Sequence, residues 1–205
     1  MPPPIPTATP HVVRPQAKRA RIMALVLSVI AVGCSIGFGI TIRRIIPIFD
    51  LDVAVRTPER YAVPFTISLV FLLFAFLFRM AAAVCELLWL ERTWTNLPEQ
   101  LRKVGPVDKV TSGLVVGLSF VPGVAWLWKL GLVLAVSDGF ERVRANIPFR
   151  AAIPRRLGMA AVIVAWVPGL NVYLAPFLWE MFATRIDRVC EEILDSQGTQ
   201  QSTPA

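Results

Sequence analysis

From Ile22 to Ile42 the chain runs for 21 residues without a charge. At a helical rise of 1.5 Å per residue such a run matches a hydrocarbon core about 30 Å thick. Arg14, Lys18, Arg19 and Arg21 precede it, and Arg43 and Arg44 follow it. Basic residues at the edges of an apolar run are what membrane topology produces. A cleaved signal peptide is the rival reading, but its apolar region is shorter and ends in small residues. Ala31-Val32-Gly33-Cys34 matches a lipoprotein cleavage box only in part, because alanine holds the place of the usual leucine. The run is therefore read as a retained span. Its Gly33 and Gly37 form a GxxxG pair, a pattern that lets a second helix or a second copy approach closely.

Three more apolar runs follow, and 55% of the 205 residues are hydrophobic against 17% charged. The second span, about 62–84, is rich in phenylalanine and carries Arg79, with Glu86 seven residues further on one helix face. Trp89 and Trp94 suit the water interface. The third, 113–136, contains Pro122-Gly123 and Lys129. The fourth, 157–182, contains Pro168-Gly169, Asn171 and Glu180. Proline removes a helical hydrogen bond, so both helices are expected to kink there. The fold class that follows is all-α: an integral membrane bundle of four transmembrane helices over residues 22–195. A proline-rich basic tail (1–21) and a polar tail (196–205) flank it as disordered ends.

Between the spans, Asn96-Leu97-Pro98-Glu99 reads as a capped helix start. Leu97, Leu101 and Val104 give that helix an apolar face, and Gly105-Pro106 ends it. A second amphipathic stretch follows the fourth span, with Ile186, Val189, Cys190, Ile193 and Leu194 on one face. Both stretches are candidate surfaces for a protein partner or a second copy.

Shifting the chain by 46 residues lays Phe120-Val121-Pro122-Gly123 on Trp166-Val167-Pro168-Gly169, and Glu141-Arg142-Val143 on Asp187-Arg188-Val189. If each copy crosses once, the two are inverted in the membrane, as are the paired broken helices of several transporters. Two kinked packing helices account for the same pattern. Ionisable residues inside a span are costly, which singles out Arg79, Glu86, Lys129 and Glu180. Snorkelling and one bundle salt bridge, between Lys129 and Glu86 or Glu180, is the simpler reading of them; a polar path for a solute is the alternative. Asn171 is expected to bond a carbonyl freed by the kink.

Catalysis and metal binding have little to build on. His11 is the one histidine, in the proline-rich tail, and Cys34, Cys85 and Cys190 are isolated from one another. No HExxH, GxxxxGK[ST], GxSxG or CxxC motif occurs. No enzyme activity, cofactor or metal is expected. The net charge of +7 lies at the ends of apolar runs rather than on an aromatic-lined basic face, which argues against nucleic acid.

Trp89-Leu90-Glu91-Arg92, with Asn96-Leu97 following, resembles a family of small bacterial multi-pass membrane proteins known as a domain of unknown function. The family pattern is W-L-x-R-x-x-x-N-L, then a Ser-Pro-initiated helix with V-G-x-x-F-[IV]-P. Here the second part runs from Thr111 to Pro122, with Val116-Gly117 and Phe120-Val121-Pro122 in place. Ser112 replaces the usual proline. Ala125 replaces a frequent asparagine, which Asn171 restores in the second copy. The resemblance implies a bacterial inner-membrane protein and no reaction, ligand or partner. With four spans, Lys and Arg divide ten to nine between the two sides. The undiluted positive charge before the first span then favours cytoplasmic termini. The leading expectation is a non-enzymatic membrane component acting through packing or partner contacts. A small transporter or channel component using the broken helices is the alternative, and an intramembrane enzyme a third.

Overall fold

The computed structural model describes residues 17–46, 59–121 and 123–201. Pro122, most of the proline-rich tail and most of the loop after the first span lie outside them. The described residues are helical apart from loops and one isolated bridge between Val104 and Val107. In chain order they form α1 (Lys18–Ile45), α2 (Glu59–Thr95), a 3-10 turn (Glu99–Leu101), α3 (Ser112–Leu118), α4 (Ala125–Arg144), α5 (Arg155–Val164), α6 (Leu170–Tyr173) and α7 (Ala175–Gln201). The chain divides into two compact units at Glu86/Leu87, within α2.

In the unit of residues 19–86, α1 and most of α2 are the two helices long and apolar enough to cross a membrane. Helices of a soluble core would be mostly covered. Only 11% and 17% of their most apolar stretches are buried in the molecule. Inter-helix contact is made at small residues. A Cβ on Gly37 would lie 3.0 Å from the Phe71 ring, while Gly33 faces open space. Ser68 Oγ donates to Thr41 Oγ1 at 2.9 Å. Helix α1 begins at Lys18, so the last residues of the expected disordered tail are helical. Helix α7 likewise continues to Gln201. No proline interrupts either stretch, and propagating a formed helix costs less than nucleating one.

The unit from Leu87 onward departs from the expectation of two kinked spans. Residues 113–136 and 157–182 each reverse direction. Trp128 Nε1 donates to the Val115 carbonyl at 3.3 Å, so α4 runs back along α3. A Cβ on Gly158 would meet Phe182 at 2.7 Å, so α7 runs back along α5. The result is two helical hairpins. Gly123 (φ +80°) and Gly169 (φ +85°) sit at the reversals, in a backbone region that strains any residue with a Cβ. A proline within an apolar run predicts a kink; followed by glycine at positive φ, it marks a turn instead.

The hairpins pack on the last turns of α2. Trp89, Leu90, Trp94, Leu132, Val133, Phe140, Phe182, Ile186 and Ile193 form the core. Leu97, Leu101 and Val104 enter it too, although their segment forms only a 3-10 turn without a side-chain cap. The apolar faces of both amphipathic stretches are therefore covered within the chain. Charged groups close the end away from the turns. Arg155 pairs with Asp138 at 2.7 Å, and the Glu192 carboxylate accepts the N–H groups of Arg150 and Ala151 at 2.7 and 2.9 Å.

Gly158 is the tightest point between hairpin arms: a methyl group there would stand 2.5 Å from Val133 Cγ1, with Phe182 just beyond. Overpacking of this kind costs about 1–3 kcal/mol, more than the roughly 1 kcal/mol alanine gains in helix propensity. Gly158→Ala should therefore lower the thermal midpoint by several degrees. Gly117→Ala, into open space on α3, should leave it unchanged or raise it.

Candidate functional site

The two reversals are copies of one another. The Val121 carbonyl accepts the Ala125 N–H at 3.0 Å, and 46 residues later the Val167 carbonyl accepts the Asn171 N–H at 3.0 Å. The bonds Phe120 N to Gly117 O and Trp166 N to Ile163 O match in the same way, at 3.1 and 3.0 Å. Further along, Trp128 N to Val124 O pairs with Leu174 N to Leu170 O. The register persists into the long arms: Val136, Ser137, Phe140 and Val143 are buried, as are Phe182, Ala183, Ile186 and Val189. Because each copy turns back, the two are not inverted. Trp126 lies 4.8 Å from Trp166 between ring centroids, which puts both turns at the same end of the unit.

That shared end is an exposed apolar tip. Phe120, Val121, Val124 and Leu127 are uncovered on the first hairpin. Ile163, Trp166, Val167, Leu170, Leu174 and Phe177 are uncovered on the second. Contiguous apolar surface rimmed by charge marks a membrane or protein contact. The arms leading to the tips, α3 and α5, have 7 and 10 residues. They rise about 10 and 15 Å, half the thickness of a hydrocarbon core or less.

The sequence-derived polar candidates fall into different settings. Arg79 and Glu86 do meet: Nη1 is 3.3 Å from Glu86 Oε1 and donates to Ser28 Oγ at 3.1 Å. Lys129 is half-buried on α4, five residues beyond the first tip, and makes no ion pair among the described residues. The expected pair with Glu86 or Glu180 is absent among the described residues. Glu180 Oε1 instead accepts from Thr184 Oγ1 at 3.4 Å. Asn171 satisfies the turn with its backbone N–H, not with its side chain as expected. Pro168 is exposed at the second turn, and Pro122 lies outside the described residues.

Sequence reasoning missed the buried polar centre. Trp89 Nε1 donates to Asp187 Oδ1 at 2.9 Å, and both residues are almost fully buried. The Trp179 and Phe182 rings stand edge-on to Trp89, 6.0 and 6.2 Å away. Asp187 lies between Ala183, Ile186 and Cys190 on the covered face of α7, a helical spacing that flags it as an inward carboxylate. Its counterpart by the 46-residue shift, Glu141, is exposed and pairs with Arg144 at 3.3 Å. Among the described residues no cluster of His, Cys, Asp and Glu could hold a metal ion.

Comparison with family models, curated proteins and solved structures returns no match.

Trp89→Phe keeps one aromatic ring but removes the N–H given to a buried carboxylate, a loss of about 1–3 kcal/mol, and adds the cost of the space the fused five-membered ring filled. The thermal midpoint should fall clearly. Lys129→Leu breaks no ion pair, so its midpoint in lipid should stay level or rise; a fall of several degrees would reveal a partner for the ammonium.

Proposed function

We propose that this chain is a non-enzymatic component of a bacterial cytoplasmic membrane, anchored twice over. Helices α1 and α2 span the bilayer, and the paired hairpin tips enter one leaflet from the side on which the chain ends. The protein then acts by holding its charged hairpin bases at that membrane surface, where lipid and partner proteins are met. One observation carries this reading: two copies of an apolar turn stand side by side at one end, with the ion pairs at the other.

The charge distribution supports the same topology. With two crossings instead of four, Arg142, Arg144, Arg150, Arg155 and Arg156 move to the side of the termini. The balance of Lys and Arg outside the four apolar runs changes from ten against nine to fifteen against four. The positive-inside rule then favours cytoplasmic termini strongly. The motif resemblance to small bacterial membrane proteins of unknown function agrees with this reading. The transporter alternative loses its main support, because the Val-Pro-Gly elements reverse the chain rather than break a helix that crosses. The space between the arms is filled by Val133 and Phe182 against Gly158.

Single cysteines at Val121, Val167 and Asp138 test the arrangement. Cys34 and Cys85 are replaced by alanine first, and Cys190, fully buried, stays in place. Labels at 121 and 167 should be quenched by lipid-borne quenchers and spared by a membrane-impermeant maleimide, while 138 reacts from the cytoplasmic side. Free aqueous labelling at 121 and 167 in inside-out membrane vesicles would overturn the leaflet-embedded reading.

A further inference from the structure

An open cleft of about 610 Å³ lies just before α3, lined by Glu99, Gln100, Arg102, Lys103, Asp108, Lys109, Val110 and Thr111. Its volume is that of an ordinary small-molecule site. Its cations are not equivalent. Lys103 is neutralised by Asp108 at 2.9 Å. Arg102 is held in place by two carbonyls, Nε to Leu97 O at 2.8 Å and Nη2 to Thr95 O at 3.0 Å, which leaves Nη1 without a partner among the described residues. Lys109 has no ion pair there either, and its φ of +52° is the one positive value among described residues other than glycine. A side chain in that backbone region is strained, and such strain collects where a group must be presented. The Thr111 hydroxyl oxygen accepts the Leu114 N–H at 3.4 Å, so its proton remains free to donate.

We propose that this cleft holds the phosphate of an anionic phospholipid headgroup, gripped by Lys109 and Arg102 with Thr111 donating. The depth fits. Helix α3 rises about 10 Å from the cleft to the first apolar tip, so a tip within the leaflet sets the cleft near the phosphates, which lie just outside the hydrocarbon edge about 15 Å from the midplane. The remaining charge in the cleft is two free cations against the single carboxylate of Glu99, which selects a net-negative headgroup. This inference rests on the reading that the tips enter the bilayer.

The test uses the full chain, purified and exchanged into phosphatidylcholine alone or into equal parts phosphatidylcholine and phosphatidylglycerol. Retained lipid is read by native mass spectrometry. Wild type should hold phosphatidylglycerol preferentially. Lys109→Gly, which removes the charge and relieves the backbone, should reduce that retention about fivefold, the scale of one lysine at an anionic surface. Its thermal midpoint in phosphatidylcholine should equal or exceed the wild type's, so a misfolded variant cannot produce the result. Undiminished retention by Lys109→Gly overturns the site. Loss of the retained phosphatidylglycerol on adding inorganic phosphate at equal concentration overturns the lipid as its source. Lipid quenching at the cysteine of Val121→Cys reports the embedding by itself: quenching without lipid preference defeats this inference alone, and absence of quenching defeats the reading beneath it.

Discussion

A polypeptide that reverses within an apolar run has few polar side chains to answer its carbonyls, so the backbone must answer them itself. At both reversals one valine carbonyl, Val121 or Val167, takes up an N–H four residues on. The chain can close that bond only because Gly123 and Gly169 adopt a positive φ. Two glycines thereby set the reach of everything around them. An apolar run of more than twenty residues, long enough to cross, becomes two arms of half that depth. Once the arms are short, the core must be built sideways against the end of α2, and Trp89 and Trp94 fill it. The interfacial role that two tryptophans near a span end imply gives way to burial.

The repeat explains why the two hairpins fit one another. Equal turns and equal buried registers let α4 and α7 present matching faces, and Trp126 meets Trp166 at the tip. The copies differ where a unique partner exists. Asp187 faces the Trp89 indole, whereas Glu141 faces water. A buried carboxylate with an indole donor is tolerable because its charge-assisted bond is strong, and losing that donor is costly. Repetition supplies the frame, and α2 breaks its symmetry.

Helical class, the two long apolar helices, the shared helix face of Arg79 and Glu86 and the 46-residue register were all legible in the residues. Each is read along the chain itself: length, charge spacing, periodicity within one helix, or a repeated string of residues. The direction of the chain after Val-Pro-Gly was not. A proline within an apolar run removes the same hydrogen bond whether the helix bends or reverses, and only the φ of the following glycine distinguishes the two. The error then spread. A kinked crossing inverts the second copy, assigns five arginines to the side opposite the termini, and offers Lys129 to Glu86 or Glu180 as a partner. The amphipathic stretches were legible as amphipathic, but what covers an apolar face is a tertiary fact, and here the chain covers its own.

The ionisable residues show how far the fold tolerates charge near lipid. Arg79 is answered within its own unit by Ser28 and Glu86, so its guanidinium is solvated by protein at modest cost. Lys129 has no such answer among the described residues and is only half-buried. About five residues from the tip, its ammonium stands on a long flexible stem that can carry the charge outward to water. A conduit would need the opposite arrangement, with charges facing one another along a continuous polar surface through the full hydrocarbon thickness. Here the ion pairs collect at the hairpin bases and the uncovered carbon at the tips, a separation along the arms rather than a polar surface running past them.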